Sequence, residues 1–263
     1  MQVITSKDNE VIKNIKKLKE KKYRDERKEF IVEGIKLIQE AMNENAKIKM
    51  IVVCEECLKD ETIEQKLLYQ IAKYNCIYVT PQVFSSITDV KNPQGMLAVI
   101  EIENTEDIIK FDEDMIFILD GIQDPGNLGT ILRTLDSAGF SQLIVSEDTV
   151  DAYNPKVVRS TMGAIFRVKV IESKDLIRTI RNIKKHRYET VVTSLSTDEN
   201  IYDIDYNKKI VVIGNESNGV SKEIMNIADI KAKIPMLGKT ESLNAAVATS
   251  IIAYEYVRRK IMK

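Results

Sequence analysis

Asp124-Pro125-Gly126-Asn127-Leu128-Gly129 runs without a break into Thr130-Ile131-Leu132-Arg133. Just ahead of it stands the apolar run Met115-Ile116-Phe117-Ile118-Leu119, the composition of a strand buried on both faces. A buried strand, a glycine- and asparagine-bearing turn and a helical segment make half of a βα crossover. The arrangement recurs. Gly214-Asn215-Glu216-Ser217-Asn218-Gly219 follows Ile210-Val211-Val212-Ile213, and Glu241-Ser242-Leu243-Asn244 opens the apolar stretch from Ala245 to Tyr256. Three such turns point to one ligand site at the ends of parallel strands, where open α/β sheets bind ligands.

Working outward, the same alternation extends in both directions. Towards the C-terminus, strands are expected at 142–145, 190–195, 210–213 and 230–234, and an extended stretch at 166–171. Helices are expected at 128–138, 155–158, 176–185, 221–226 and 243–261, with Ser221 and Ser242 as capping residues. Towards the N-terminus, a polar helix over 7–20 capped by Ser6 precedes a strand at Phe30-Ile31-Val32 and a helical stripe at 35, 38, 41 and 42. Strands at 48–53, 76–79 and 96–100 and a helix at 63–74 complete this half, with Pro81 ending the strand before it. The reading is α/β throughout. A small domain with a largely parallel sheet spans 1–103, an acidic, apolar-poor linker spans 104–114, and a larger domain spans 115–263.

Bulk properties narrow the function. The chain has 263 residues, enough to bury a core without staples. Net charge is -1, so no polyanion partner follows from bulk charge, but Lys13 to Lys28 carry nine lysines and arginines against Glu20, Asp25 and Glu26. That stripe is either a solvated helix face or a phosphate-contacting one. Three cysteines with no framework spacing argue against a disulfide scaffold, and a lone Cys54-x-x-Cys57 without histidines argues against zinc. The one histidine, His186, sits in a polar run suited to the surface, so chemistry built on a histidine base is not expected. The N-terminus has no apolar core of a signal peptide and no run approaches a membrane span, so the expected location is the cytoplasm.

The turns themselves suit an anionic or polar ligand. Gly126 and Gly129 allow close approach, a helix start presents unsatisfied N–H groups, and the Arg133 fork can hold a phosphate or carboxylate. Glu216 can accept from a bound hydroxyl or brace Arg133. The plain alternative is a set of tight βα connections with a surface arginine and a solvated glutamate. Neither G-x-G-x-x-G after a strand nor a P-loop is present, so a nucleotide-like cofactor is not held in the usual way.

Segments 124–134, 213–220 and 234–236 with 241–244 resemble the three motifs of the SpoU (TrmH) family of RNA ribose 2′-O-methyltransferases, in the SPOUT class. Phe30-Ile31-Val32-Glu33-Gly34 with Gln94-Gly95-Met96-Leu97-Ala98-Val99 resembles the small substrate-binding domain often fused in front. The resemblance implies a SPOUT α/β domain with a deep trefoil knot, holding S-adenosylmethionine against Gly214, Ile234, Leu243, Thr193, Ser194 and Leu195. It implies a homodimer and no metal. It assigns catalysis to Arg133, with Asn127, Glu216, Ser242 and Asn244 fixing geometry; since arginine stays protonated, its role is either base beside a phosphate or electrostatic. RNA would be held by the front domain through Lys16, Lys17, Lys21 and Arg24, with Arg159, Lys156 and Arg167 flanking a second loop and adding phosphate contacts. The front domain points to ribosomal RNA; a transfer-RNA methyltransferase and a non-catalytic RNA-binding member remain alternatives.

Overall fold

The structure, a computed structural model, describes residues 3–56, 65–103 and 109–262. The chain forms two compact units, residues 1–105 with 153–166, and residues 106–152 with 167–263.

In the first unit the described elements are β1 (Val3–Ile4), α1 (Glu10–Lys17), α2 (Lys21–Arg27), β2 (Glu29–Glu33), α3 (Ile35–Asn43), β3 (Ile48–Cys54), α4 (Gln65–Ile71), β4 (Cys76–Val79), α5 (Pro81–Ile87) and β5 (Met96–Glu101). The strands order as β1-β4-β3-β5-β2. β4 is parallel to β1 and β3, but β5 runs antiparallel to both β3 and β2. The sheet is therefore mixed, not largely parallel as expected, because alternating apolar segments do not encode strand direction. Pro81 is also not a simple stop. It occupies the first turn of α5, where its missing N–H costs nothing. Ile12, Ile15 and Leu18 recur at helical spacing and join Val83, Phe84 and Ile87 over Val52, Val79 and Leu97 in one core.

The expected polar helix over 7–20 and the basic helix over 13–28 are two short helices. Asn9, not Ser6, caps α1 through Val11 N–H at 2.9 Å. The chain turns at 18–20, and Arg24 of α2 reaches back to the Leu18 carbonyl at 2.8 Å. Part of the helix expected at 63–74, and Cys57, lie outside the described residues.

The second unit contains β6 (Met115–Asp120), α6 (Pro125–Ser137), β7 (Gln142–Ser146), β8 (Lys169–Ser173), α8 (Leu176–Lys184), β9 (Glu189–Thr193), β10 (Lys209–Gly214), α9 (Lys222–Ile227), β11 (Ile230–Ala232) and α10 (Ala245–Ile261); α7 (Pro155–Thr161), between β7 and β8 in the chain, belongs to the first unit. The sheet orders as β11-β9-β10-β6-β7-β8 with every pair parallel. β6 and β10 pair residue for residue from Met115↔Lys209 to Asp120↔Gly214, and their apolar runs are buried as their composition requires. Of the linker placed at 104–114, residues 104–108 lie outside the described set. The remainder is docked on the second unit. Gln142 exchanges hydrogen bonds with the Lys110 backbone at 2.9 and 2.8 Å, and Phe111 stacks on exposed His186 with centroids 3.6 Å apart.

Residues 153–166 pack within the first unit, where the Phe30 ring meets Tyr153 at 4.8 Å and Phe166 at 6.4 Å. The attraction of Phe166 to this ring cluster explains why 166–171 is not uniformly extended. Ala164–Phe166 is a 3-10 turn, and β8 begins only at Lys169.

Candidate active site

Because the second sheet is all parallel, the C-terminal ends of its strands share one edge. The three motif turns leave from that edge or return to it. The first begins α6. Asp124 caps the helix by accepting the Asn127 N–H at 2.8 Å, with Pro125 at the first helical position. The helix thus starts at Pro125, ahead of the expected 128. Asn127 falls in the first turn, and Arg133 stands more than two turns in.

The second turn braces itself. Asn215 and Gly219 exchange backbone hydrogen bonds at 3.1 and 2.9 Å, and the Asn215 carboxamide accepts from Ser217 N–H at 2.8 Å and Asn218 N–H at 3.2 Å. Its amide also donates to the Gly121 carbonyl at 2.8 Å, tying the turn to the end of β6. This packing fixes Gly214, because a Cβ there would sit 2.1 Å from the Gly219 carbonyl carbon. The result holds Glu216 exposed at the tip.

The third turn ends at Asn244. Asn244, not Ser242, caps α10, accepting from Ala246 N–H at 2.9 Å and Val247 N–H at 3.3 Å. A cap must immediately precede the first helical residue, and the helix starts at Ala245, so Ser242 lies two positions ahead of the cap; it is exposed in the loop. With its oxygen committed to the helix, the Asn244 Nδ2 donates to Asn127 Oδ1 at 2.9 Å. The Asn127 Nδ2 then donates to Glu216 Oε1 at 2.5 Å. Asn244, Asn127 and Glu216, separated by 117 and 89 residues in sequence, form one directed relay. Each amide's orientation is set by the next, starting from the helix N–H groups.

Arg133 is outside this relay. It lies about 9 Å along α6 from Asn127, is exposed, and its side chain has no hydrogen bond or ion pair among the described residues. Glu216 does not brace it. Among the described residues Glu216 has one neutral donor and no cation.

The remaining candidates sit at neighbouring strand ends. Thr193 ends β9, Gly214 ends β10, and Ala232, paired with Thr193, ends β11 two residues before Ile234. Strands 4.8 Å apart put these ends within about 10 Å of one another. Both strands stop earlier than expected, releasing Ser194, Leu195 and Ile234 from the sheet. Ser194 N–H still bonds the Ala232 carbonyl at 2.9 Å, while the N–H groups of Leu195, Ile234 and Leu243 find no acceptor among the described residues. Ile234 and Leu243 are half-buried and Leu195 is 61% exposed, giving apolar side chains beside open backbone donors. That combination fits a ligand with a flat heteroaromatic ring. A separate cleft of about 390 Å³ opens at the ends of β6, β7 and β8. Asp120, Glu147 and Asp148 line it with Lys174, and none of the candidate residues does. Its carboxylates would repel phosphate.

In the first unit, Lys17 and Lys21 are exposed and Lys16 and Arg159 half-buried. Arg24 does not join them. It is 2% exposed, with its guanidinium spent on the Leu18 carbonyl, so it cannot meet a phosphate. Arg167, in the second unit, is likewise committed, bidentate to Asp136 at 2.9–3.1 Å. Asp124 and Asn215, which hold Asn127 and Glu216 in place, are not among the expected site residues. The Asp-Pro pair was a legible cap signal for the first; the second carried no signal apart from its turn.

Three comparisons bear on this arrangement. The SpoU rRNA Methylase family model matches residues 114–254, and the MRM3-like substrate binding domain model matches residues 9–98. The chain is 30% identical over 255 residues to the 23S rRNA (guanosine(2553)-2′-O)-methyltransferase RlmP of Bacillus subtilis, covering 97% of this chain and 98% of that one. It superposes with TM-score 0.86 on an AdoMet-bound rRNA methyltransferase from Sinorhizobium meliloti, at 32% identity over 100% of this chain and 99% of the other. The SpoU methyltransferase AviRb from Streptomyces viridochromogenes, in complex with AdoMet, gives 0.86 at 27% identity over 96% and 98%. With the parallel sheet, the three motif turns and the family match all falling on the same residues, the chain belongs to the SpoU rRNA methylase family.

Proposed function

We propose that this protein methylates a ribose 2′-hydroxyl of ribosomal RNA. It is an S-adenosylmethionine-dependent RNA 2′-O-methyltransferase. The observation that carries the reading is the Asn244–Asn127–Glu216 relay, because it joins all three motif segments through side chains that the fold alone does not require.

The residues present fit the cofactor. The open N–H groups of Leu195, Ile234 and Leu243, with the apolar side chains of the same residues, would hold its adenine and main-chain groups beside Gly214, Thr193 and Ser194. When bound, S-adenosylmethionine supplies a methyl group already activated on a sulfonium, so no metal is needed. The chain's task is to orient the hydroxyl in line with that carbon and to accept its proton. Glu216 Oε2, which takes no hydrogen bond among the described residues, is the oxygen we assign to that hydroxyl, with Oε1 held by Asn127. Ser242, exposed beside Leu243, would add a hydroxyl contact. Arg133 stays protonated, and its unoccupied fork would clamp the phosphate next to the target ribose.

Residues 1–103 would form the RNA-binding domain and 115–263 the methyltransferase domain, joined through 104–114. The loops after β9, β10 and β11 would form a deep trefoil knot around the cofactor. Two copies would pair through the α6–α10 face, where Val247 and Tyr254 are exposed, so that Arg133 of one copy serves the site of the other. Among the described residues no helix is long and apolar enough to cross a membrane, and we place the enzyme in the cytoplasm with its RNA.

The test is transfer of a labelled methyl group from S-adenosylmethionine to RNA from cells lacking the gene. Label in ribosomal RNA at one ribose, absent from RNA of cells carrying the gene, is the expected result. Label only in transfer RNA would move the substrate, and no label in either would return the chain to a binding role.

A further inference from the structure

We propose that the corner between α1 and α2 is a stacking platform for one unpaired base of the RNA, with Tyr23 as the ring and Lys16, Lys17 and Lys22 as contacts to flanking phosphates. The proposal rests on the reading of the protein as an RNA methyltransferase and says where, and in what form, the front unit grips that RNA.

Seven of the nine basic residues read from the sequence fall into two groups in the structure. One group is committed within the chain. Lys13 pairs with Glu10 at 3.2 Å, Lys19 with Asp89 at 2.7 Å, Arg24 with the Leu18 carbonyl at 2.8 Å, and Arg27 with Asn14 at 2.8 Å. The two arginines cross from α2 to α1, Arg24 at its C-cap and Arg27 at its middle, so they staple the corner and fix the angle between the helices. The other group is Lys16, Lys17 and Lys22, which have no carboxylate partner among the described residues. Two of these gather on one ring. Lys17 Nζ lies 5.6 Å and Lys22 Nζ 5.8 Å from the centroid of Tyr23, which is half-buried. Ammonium groups from both helices are thus held at the electron-rich face of a single aromatic.

Such a ring is suited to a base. Every nucleobase presents a π-face, and aromatic stacking is the usual way proteins grip unpaired RNA bases, whereas those of a duplex are not reachable. On stacking, the base takes the place of an ammonium, which swings onto the adjoining phosphate. The corner is not a uniform cationic track, because Asp25 and Glu26 are exposed on the same short helix. That favours a grip on one or two nucleotides over sliding along a polyanion. The stapled corner holds the ring in place before RNA arrives, which reduces the ordering cost of binding.

The experiment measures binding of the full-length protein to a mixed-sequence 12-nucleotide single-stranded RNA and to a duplex of the same composition, across salt concentrations. Tyr23→Leu keeps apolar bulk at the corner but removes the π-face. It should weaken single-strand binding by about five- to 150-fold and leave duplex binding within about twofold, while Tyr23→Phe binds like wild type. Lys17→Ala with Lys22→Ala should lower the slope of log affinity against log salt by roughly 1.4 for the single strand. Melting temperatures unchanged by Tyr23→Phe and Tyr23→Leu exclude a collapsed corner. Equal losses on single strand and duplex, or no loss on either, would overturn the platform. Binding of polyglutamate as tight as that of the single strand would also overturn it, in favour of an acidic protein partner. Methyl transfer to ribosomal RNA by the wild type separates the two levels. If it occurs while Tyr23→Leu binds like wild type, only the platform falls; if it does not occur, the enzyme reading falls first.

Discussion

The two ends of α10 handle polar groups in opposite ways. At the C-terminal end, Glu255 is 7% exposed and is enclosed by cations of its own helix, Arg258 at 2.8 Å and Arg259 at 2.6 Å. Arg259 continues to the carbonyls of Tyr202 and Ile204 and lies 5.3 Å from the Tyr206 ring. The carboxylate and both arginines there are partnered within the chain. At the N-terminal end, Asn244 starts a relay of neutral amides that reaches an exposed carboxylate, and among the described residues neither that carboxylate nor exposed Arg133 on neighbouring α6 has an ion-pair partner. A glutamate and an arginine on the same unit could have paired; they do not. The buried, closed network holds the helix down, and the open one keeps its charges for something that arrives. Substitutions at the two ends should therefore separate stability from turnover.

The sharpest separation is expected at Arg133. With no partner to lose, Arg133→Ala should leave the melting temperature within about 2 °C, since exposed substitutions of this kind shift stability by about 0.5 kcal/mol or less. Turnover should fall about 10²- to 10³-fold, the scale seen when one preorganised electrostatic group is removed from an active site. Calorimetry should show S-adenosylmethionine still binding. Methylation near the wild-type rate would mean that the unpaired arginine is merely solvated, and the contrast between the two ends would lose its functional half.

Glu255 should behave in the reverse sense. Hydrogen bonds from Arg258 and then Arg259 outweigh the cost of burial and hold its carboxyl at about 2, against an ordinary value of 4.5. A depressed value means the folded state favours the ionised form. The stabilisation is fully present above about pH 4.5 and is lost as pH falls towards 2. At 1.36 kcal/mol per pH unit the difference amounts to roughly 3 kcal/mol. Glu255→Gln should lower stability at pH 7 by up to that amount and flatten the acid limb of the melting curve between about pH 4.5 and 2. Turnover per folded molecule should be unchanged. An acid limb identical to wild type would show that the clamp contributes nothing.

The same division explains what was legible in the sequence. β6 and β10 could be read because both faces are buried, so each is a pure apolar run; the three motif turns stood out against such strands. Pairing partners were not legible. The antiparallel insertion of β5 depends on which edge of β3 is open, a tertiary matter. Arg24 shows the limit most plainly. In a run of nine basic residues nothing local distinguishes the one that turns inward to the Leu18 carbonyl from those that face water. At the site, Asn127, Glu216 and Asn244 were named from their motifs, but their linkage runs across 89 and 117 residues of sequence. Ser242 would cap a helix that began at Leu243; the helix begins at Ala245, two residues on, and the cap moves with it.

Asn244 provides the finest test, because it serves both purposes at once. Its Oδ1 caps α10 and its Nδ2 feeds the relay. Asn244→Ala removes both, so it should cost about 1 kcal/mol of stability as well as activity. Asn244→Asp removes only one. A carboxylate caps a helix as well as a carboxamide, and its charge is favourable at a helix N-terminus, so stability should hold or rise by a few tenths of a kcal/mol. The relay cannot survive the change. An oxygen would now face Asn127 Oδ1, and Asn127 could restore that contact only by flipping its amide, which would turn its own oxygen towards Glu216. The conflict moves along the chain without being relieved, and it ends at the carboxylate assigned to the ribose hydroxyl. Turnover should drop about tenfold, the scale of one displaced hydrogen bond to a charged group, with thermal melting unchanged. If Asn244→Asp and Asn244→Ala instead lose activity in proportion to their stability, the N-terminal end of α10 is held together for the same reason as the C-terminal end.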